Sequence, residues 1–184
     1  DLLRGLVKLA DVRLICAAIE ATSLQPEMQL KGCAALSNMA CHHRGNAITI
    51  GQAGGVLQLC ALMAQQADHA RLQEGALRAL ANLLCEPSCV VLFLGHGGID
   101  RLCDAMRTHE AVAAVQLECC RAIANMTKEH EGSGDLLLEA GAAPLLTAAM
   151  DAHPHAIGVQ REACAALANL SKEVDSEQSV LDAG

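Results

Sequence analysis

The residues best suited to chemistry in this sequence are four asparagines, Asn38, Asn82, Asn125 and Asn169, spaced 44, 43 and 44 residues apart. A carboxamide offers one acceptor and two donors, so it can pair with the backbone of another chain whatever side chains that chain bears. One helical turn before them stand Ala34, Arg78, Arg121 and Ala165, which puts two guanidinium groups at the centre of the series. Such a pair suits a carboxylate or a phosphoserine. Another turn back lie Glu118 and Glu162, spaced to neutralise the arginines as Glu118 would with Arg121, which leaves a self-paired, solvated charged face as the competing reading. The asparagines likewise have two uses open to them, contact with a partner or tying their own helix end to a neighbouring loop.

Other constellations carry less. Ten cysteines invite a metal or disulfide reading, yet Cys16, Cys60 and Cys103 share one phase, Cys33, Cys120 and Cys164 another, and Cys41 and Cys85 a third. A buried free thiol packs as a small hydrophobe, and thiols that recur with a repeat are expected to be core. No Cys-x-x-Cys pair has a second half at zinc spacing. Cys41-His42-His43, with Cys85 one repeat on, is the one cluster with metal-ligand chemistry, and a polar helix end accounts for it as well. His69, His109, His153 and His155 fall in expected connections, where exposure is ordinary. Asn125-Met-Thr127 and Asn169-Leu-Ser171 match glycosylation sequons but fall on expected helices. Gly51 to Gly55 and Gly95-His-Gly-Gly98 lack the strand-before, helix-after context of a phosphate loop and are expected to be turns. No nucleophile, base and orienting residue come together, and neither a catalytic residue nor a cofactor is expected.

The elements that must position the asparagines emerge when the chain is aligned with itself. Gln29 through Met39 returns as Gln73 through Leu83, Gln116 through Met126 and Gln160 through Leu170. Gly54, Gly97, Gly141 and Gly184 form a second anchor, spaced 43, 44 and 43. A period of 40 to 47 residues signals stacked helical repeats. Before each Asn sit apolar or small residues at helical spacing, such as Cys33, Ala35 and Leu36, or Cys120, Ala122 and Ile123, which makes one buried face. After the glycine comes a second apolar helix, Val56 through Met63, then Ile99 through Met106 and Ala143 through Met150. A shorter piece precedes the glycine, around Ile48/Ile50, Val91/Phe93, Leu136/Leu137 and Val180/Leu181. Glycine suits the turn between short and middle helices because it takes positive φ without a Cβ, and Pro144 can start the helix that follows.

Three helices per 43 to 44 residues, with a Gln-x-x-small-x-Ala-Leu-x-Asn-Leu third helix, resemble the armadillo repeat family over nearly the whole chain. The resemblance implies an all-α, right-handed solenoid of stacked three-helix repeats at 10–53, 54–96, 97–140 and 141–184, with 1–9 the tail of a preceding repeat and the last unit running into the first helix of the next. The start at Asp1 without a methionine and Gly184 at the phase of another middle helix set the expectation of a segment from a longer array. The resemblance also implies that the third helices line a concave groove, with Asn38, Asn82, Asn125 and Asn169 projecting into it to hold a partner's backbone, beside Arg78, Arg121, Glu118 and Glu162. Nuclear-import members place Trp where Arg78 and Arg121 stand. With no Trp, the chain is more similar to scaffold and adaptor members.

Composition narrows the function further. Hydrophobic residues make up 52% of 184, almost all aliphatic, with no Tyr and a single Phe, Phe93, which suits closely stacked helices. A net charge of −8 and no Lys/Arg run disfavour nucleic acid and anionic lipid as partners. No window approaches the 18 to 20 apolar residues of a membrane span, Cys89 to Leu94 being far shorter. The expectation is a non-enzymatic cytoplasmic scaffold or adaptor that grips an extended or helical segment of another protein, with no small-molecule substrate and no direct membrane insertion. The alternative is a structural element that packs in a larger cytoskeletal, ciliary or vesicle-associated assembly through its convex face.

Overall fold

The computed structural model describes residues 8–41 and 43–183, with side chains described as far as Lys172. Eleven helices and no strand follow one another within them. Short helices are α3 (Arg44–Gln52), α6 (Pro87–Gly95) and α9 (Ser133–Glu139). Middle helices are α1 (Leu9–Ala21), α4 (Gly55–Gln65), α7 (Gly98–Thr108) and α10 (Ala142–Ala152). Third helices are α2 (Pro26–Ala40), α5 (Ala70–Leu83), α8 (Ala113–Glu129) and α11 (Ile157–Ala183). Of the expected tail at 1–9, all but Lys8 and Leu9 lies outside the described residues, and Leu9 opens α1.

Stacking is helix on like helix. Each third helix packs on the next, α2 on α5 on α8 on α11, and the middle helices repeat the pattern from α1 through α4 and α7 to α10. The result is an all-α solenoid with one continuous core. Residues at matching phases fill it, such as Leu36, Leu80 and Ile123, all fully buried. Within the short helices Ile50, Phe93 and Leu137 turn inward while Ile48, Val91 and Leu136 stay exposed.

Two repeated devices fix the corners. At the first, Gly97 takes φ +65° between α6 and α7, and Gly98 follows where a Cβ would lie 2.5 Å from the Phe93 ring. The positive φ and the missing side chain are both required there. Gly54 and Gly141 repeat the left-handed turn. The second device is the glutamine of the self-alignment. Gln73 Nε2 donates to the carbonyls of Met63 and Gln66 at 2.8 and 2.9 Å, and Gln116 Nε2 to Met106 and His109 at 2.9 Å each. Gln160 does the same to Met150 and His153. Each buried amide thus satisfies carbonyls that the middle helix leaves open at its C-terminus and sets the angle at which the third helix departs.

Two expectations are corrected. Pro144 is the third residue of α10, not its first, and is tolerated because that position has no intrahelical partner for its N–H anyway. The separate short helix expected around Val180/Leu181 does not form, since α11 runs unbroken for 27 residues. Two of its counterparts are cut from the preceding third helix by Pro87 at the first position of α6 and by Gly132 at φ +79° before α9, residue types that Lys172 through Gln178 lacks. The third, α3, is separated from α2 without either, across Cys41-His42-His43.

Candidate partner-binding groove

The asparagines stand on the third helices and mark the seams between them. Asn82 Nδ2 donates to Ser37 O at 3.1 Å and contacts Ser37 Oγ at 3.0 Å. Asn125 Nδ2 donates to Ala81 O at 2.8 Å, and Asn169 Nδ2 reaches Ala124 O and Thr127 Oγ1 at 3.1 and 3.2 Å. One amide edge of each therefore ties its helix to the preceding third helix, through the helix's backbone rather than the loop that sequence reasoning considered. Oδ1 of all three carries no bond among the described residues, and Asn125 keeps one N–H as well, since it makes a single bond. Asn38, on the first described third helix, is exposed and its amide is unengaged. The side-chain nitrogens of Asn125 and Asn169, the atoms a sequon would modify, each donate across a seam.

The charged residues form one network. Glu118 on α8 is 4% exposed and lies between two arginines, with Oε1 3.1 Å from Arg78 Nε of α5 and Oε2 2.7 Å from Arg121 Nη2 one turn along its own helix. Arg78 also pairs with Glu74 four residues back. The hydrogen bond that Arg78 Nε–H donates to Glu118 is the main reason the guanidinium is held above its ordinary pKa. The two guanidiniums are thus neutralised from within, by the Glu118–Arg121 pair expected at helix spacing and by a cross-helix bond that spacing could not reveal. Glu162 pairs with the adjacent Arg161 at 2.8 Å instead of joining them.

Glu118 also decides where the seam is open. Its counterpart one repeat back is Gly75, and the counterpart of Arg78 one repeat back is Ala34. Between α2 and α5 these small residues leave a recess of about 270 Å³, bordered by Leu30, Asn38, Arg71, Glu74 and Arg78. Arg71 reaches Glu27 at 3.0 Å across exposed surface.

Cysteine behaves mostly as core. Burial pushes Cys33 and Cys120 up to about 12 and Cys60 and Cys89 up to about 11, so these thiols stay protonated at neutral pH, neither nucleophiles nor ready ligands. Cys164 keeps the phase of Cys33 and Cys120 but, against the expectation of a core thiol, is exposed, because no described helix covers that face of α11 as α5 and α11 cover Cys33 and Cys120. Cys41, His43 and Cys85 line one recess with Asn82 and Arg44. His42 lies outside the described residues, and among those described no three His, Cys, Asp or Glu side chains are placed to hold a metal.

Sequence reasoning missed two further ladders. His109, expected to be exposed, is 7% exposed, because its Nε2–H donates to Ala67 O at 2.7 Å in the preceding loop. His153 Nε2–H reaches Glu110 O at 2.7 Å and Gln66 Nε2 reaches Ser23 O at 3.2 Å at the same phase. Arg44 in turn spans Glu86 and Glu129 at 2.7 and 3.5 Å. Their spacings of 42 to 44 residues were visible, but a spacing alone names neither a backbone carbonyl as acceptor nor the carboxylate that a given arginine reaches.

Residues 43–85, which are α3, α4 and α5 with the turns between them, match the family model for the armadillo/β-catenin-like repeat. This segment is an armadillo-type repeat. Two crystal structures of engineered proteins from the Northeast Structural Genomics Consortium resemble the chain with TM-scores of 0.77 and 0.75, both at 27% identity over 88% and 87% of it. A third, at 24% identity and TM-score 0.76, shares the fold over 88% of it. The array spans 63%, 37% and 64% of those chains respectively. No curated protein matches it. Armadillo repeats generally mediate protein–protein interaction, and the solenoid they form is typically non-catalytic.

Proposed function

We propose that the chain is a scaffold or adaptor whose row of third helices holds an extended or helical segment of a partner protein. The observation that carries this reading is the asparagine ladder. Its amides are anchored through Nδ2 to the preceding helix, which fixes their direction, while Oδ1 stays available at every seam from Asn82 to Asn169. Preorganised acceptors at a regular interval favour a ligand with an equally regular backbone, because the entropy of orienting each amide is already lost on folding. Arg78, Arg121, Glu118 and Glu162 on the same row supply charge contacts.

The reading includes a non-catalytic role, other proteins as ligands rather than nucleic acid or small molecules, and a reducing, cytoplasmic setting. Support for the setting comes from thiols that recur with the repeat and remain unpaired. Packing through the opposite face is favoured by a different observation, the exposure of Leu57 and Val91 on α4 and α6. Site-specific photo-crosslinking separates the two. A probe at position 125 should capture a partner and one at position 91 should not, and capture from position 91 alone would reverse the assignment.

A further inference from the structure

Resting on the groove reading, we infer that the recess between α2 and α5 is a subsite for a carboxylate side chain of an acidic partner segment. The chain carries its own template for this ligand. At the next seam Glu118 fills the equivalent space and its carboxylate meets Arg121, three residues further along the same helix. Gly75 occupies the Glu118 position one repeat earlier, and Arg78 stands three residues after it as Arg121 does after Glu118. A partner carboxylate entering over Gly75 takes the place that Glu118 takes within the chain.

The surroundings fit a Glu side chain on an extended strand. Ala34, Leu30 and the Gly75 backbone form a floor for its methylenes, and the exposed Asn38 amide lies at one end for the adjoining peptide unit. Arg71, one turn before Gly75, adds a second guanidinium that Glu118 lacks at its own seam, where Ala114 stands. Arg71 is held only by an exposed pair with Glu27, both about 70% exposed at 68% and 71%, and such pairs exchange readily for a better partner. Glu74 also lines the recess and is engaged by Arg78 Nη2, and Arg78 spends Nε on Glu118, so Nη1 remains for the incoming carboxylate.

Fluorescence anisotropy of labelled hexaglutamate, hexaglutamine and hexalysine on the 184-residue chain tests this, at about 0.15 M salt so that the net charge of −8 is screened beyond about 8 Å. Hexaglutamate should bind about tenfold more tightly than either of the others. Gly75→Glu plugs the recess with the chain's own carboxylate and should weaken hexaglutamate about tenfold. A Cβ there meets Leu30 Cδ2 at 3.3 Å and Cys33 Cβ at 3.5 Å, a gap that side-chain movement can open. Arg71→Gln, at an exposed pair, should weaken it severalfold and keeps the test valid if Gly75→Glu does not fold. Arg107→Gln on α7 should change nothing. No preference for hexaglutamate, or full binding by both Gly75→Glu and Arg71→Gln, overturns the subsite. Combined Asn82→Ala and Asn125→Ala distinguishes the two readings. If it spares hexaglutamate while Gly75→Glu abolishes binding, the groove reading fails and the subsite stands. Sensitivity to the asparagines without sensitivity to position 75 or 71 means the reverse.

Discussion

The seam between α5 and α8 and the seam between α2 and α5 are built from the same repeat and differ in what fills them. At the first, a nearly buried Glu118 binds arginines from both helices. At the second, Gly75 and Ala34 leave an open recess with exposed guanidiniums at its rim. A solenoid can vary its surface this way because the glutamine caps that fold each repeat and the apolar phases that stack one repeat on the next lie elsewhere. Positions between those anchors are free to serve either cohesion or recognition.

The comparison breaks most visibly if the shared framework fails first. Gln73→Ala and Gln116→Ala each strip two carbonyls of their donor, and each should lower stability by about 3 kcal/mol in urea unfolding, equally at both seams. A marked inequality between them would mean that the seams do not share a framework. Glu118→Ala acts at one seam alone. It leaves Arg121 and Arg78 without their common anion, and because Arg78 is half exposed the expected loss is about 2 kcal/mol, smaller than for a fully buried pair. Hydrogen exchange should speed up in α8 more than in α2.

Alkaline pH probes the other seam. Cys33 packs beside Gly75, whereas its counterpart at the next seam is Leu77, which does not titrate. The folded thiol titrates at about 12 against an ordinary 9.0, so its contribution is complete below pH 9 and is lost as pH rises toward 12. A unit above the ordinary value should cost about 1 kcal/mol, and Cys33→Ala should remove that share of the alkaline slope, leaving the shares of Cys60, Cys89 and Cys120, whatever it does to stability near neutral pH. The smallest effect contrasts two asparagines. Asn82→Ala removes a bond to Ser37 and should cost about 1 kcal/mol, while Asn38→Ala, which breaks no bond among the described residues, should leave the melting temperature unchanged.

Much of this architecture was legible before any coordinates. The glycine and glutamine anchors gave the period, and the apolar phases gave three helices per unit. What a phase could not give was the partner of each polar group. His109 looks like a loop histidine and is buried because Ala67 O lies one repeat away. Cys164 looks like Cys33 and is exposed because burial depends on the next helix in the stack. The break expected before Val180 did not form, and the stretch lacks the Pro or Gly that ends two of the three equivalent helices.

By itself the sequence determined the asparagine ladder, its spacing and the central placement of Arg78 and Arg121, because helical periodicity and repeat length are properties of order along the chain. Only the tertiary structure decided that the asparagines are half spent on holding the stack and that Glu118 closes one seam while Gly75 leaves another open. Those outcomes depend on which side chains meet across a seam of 40 to 45 residues, and hydrogen bonds and ion pairs form between neighbours in space.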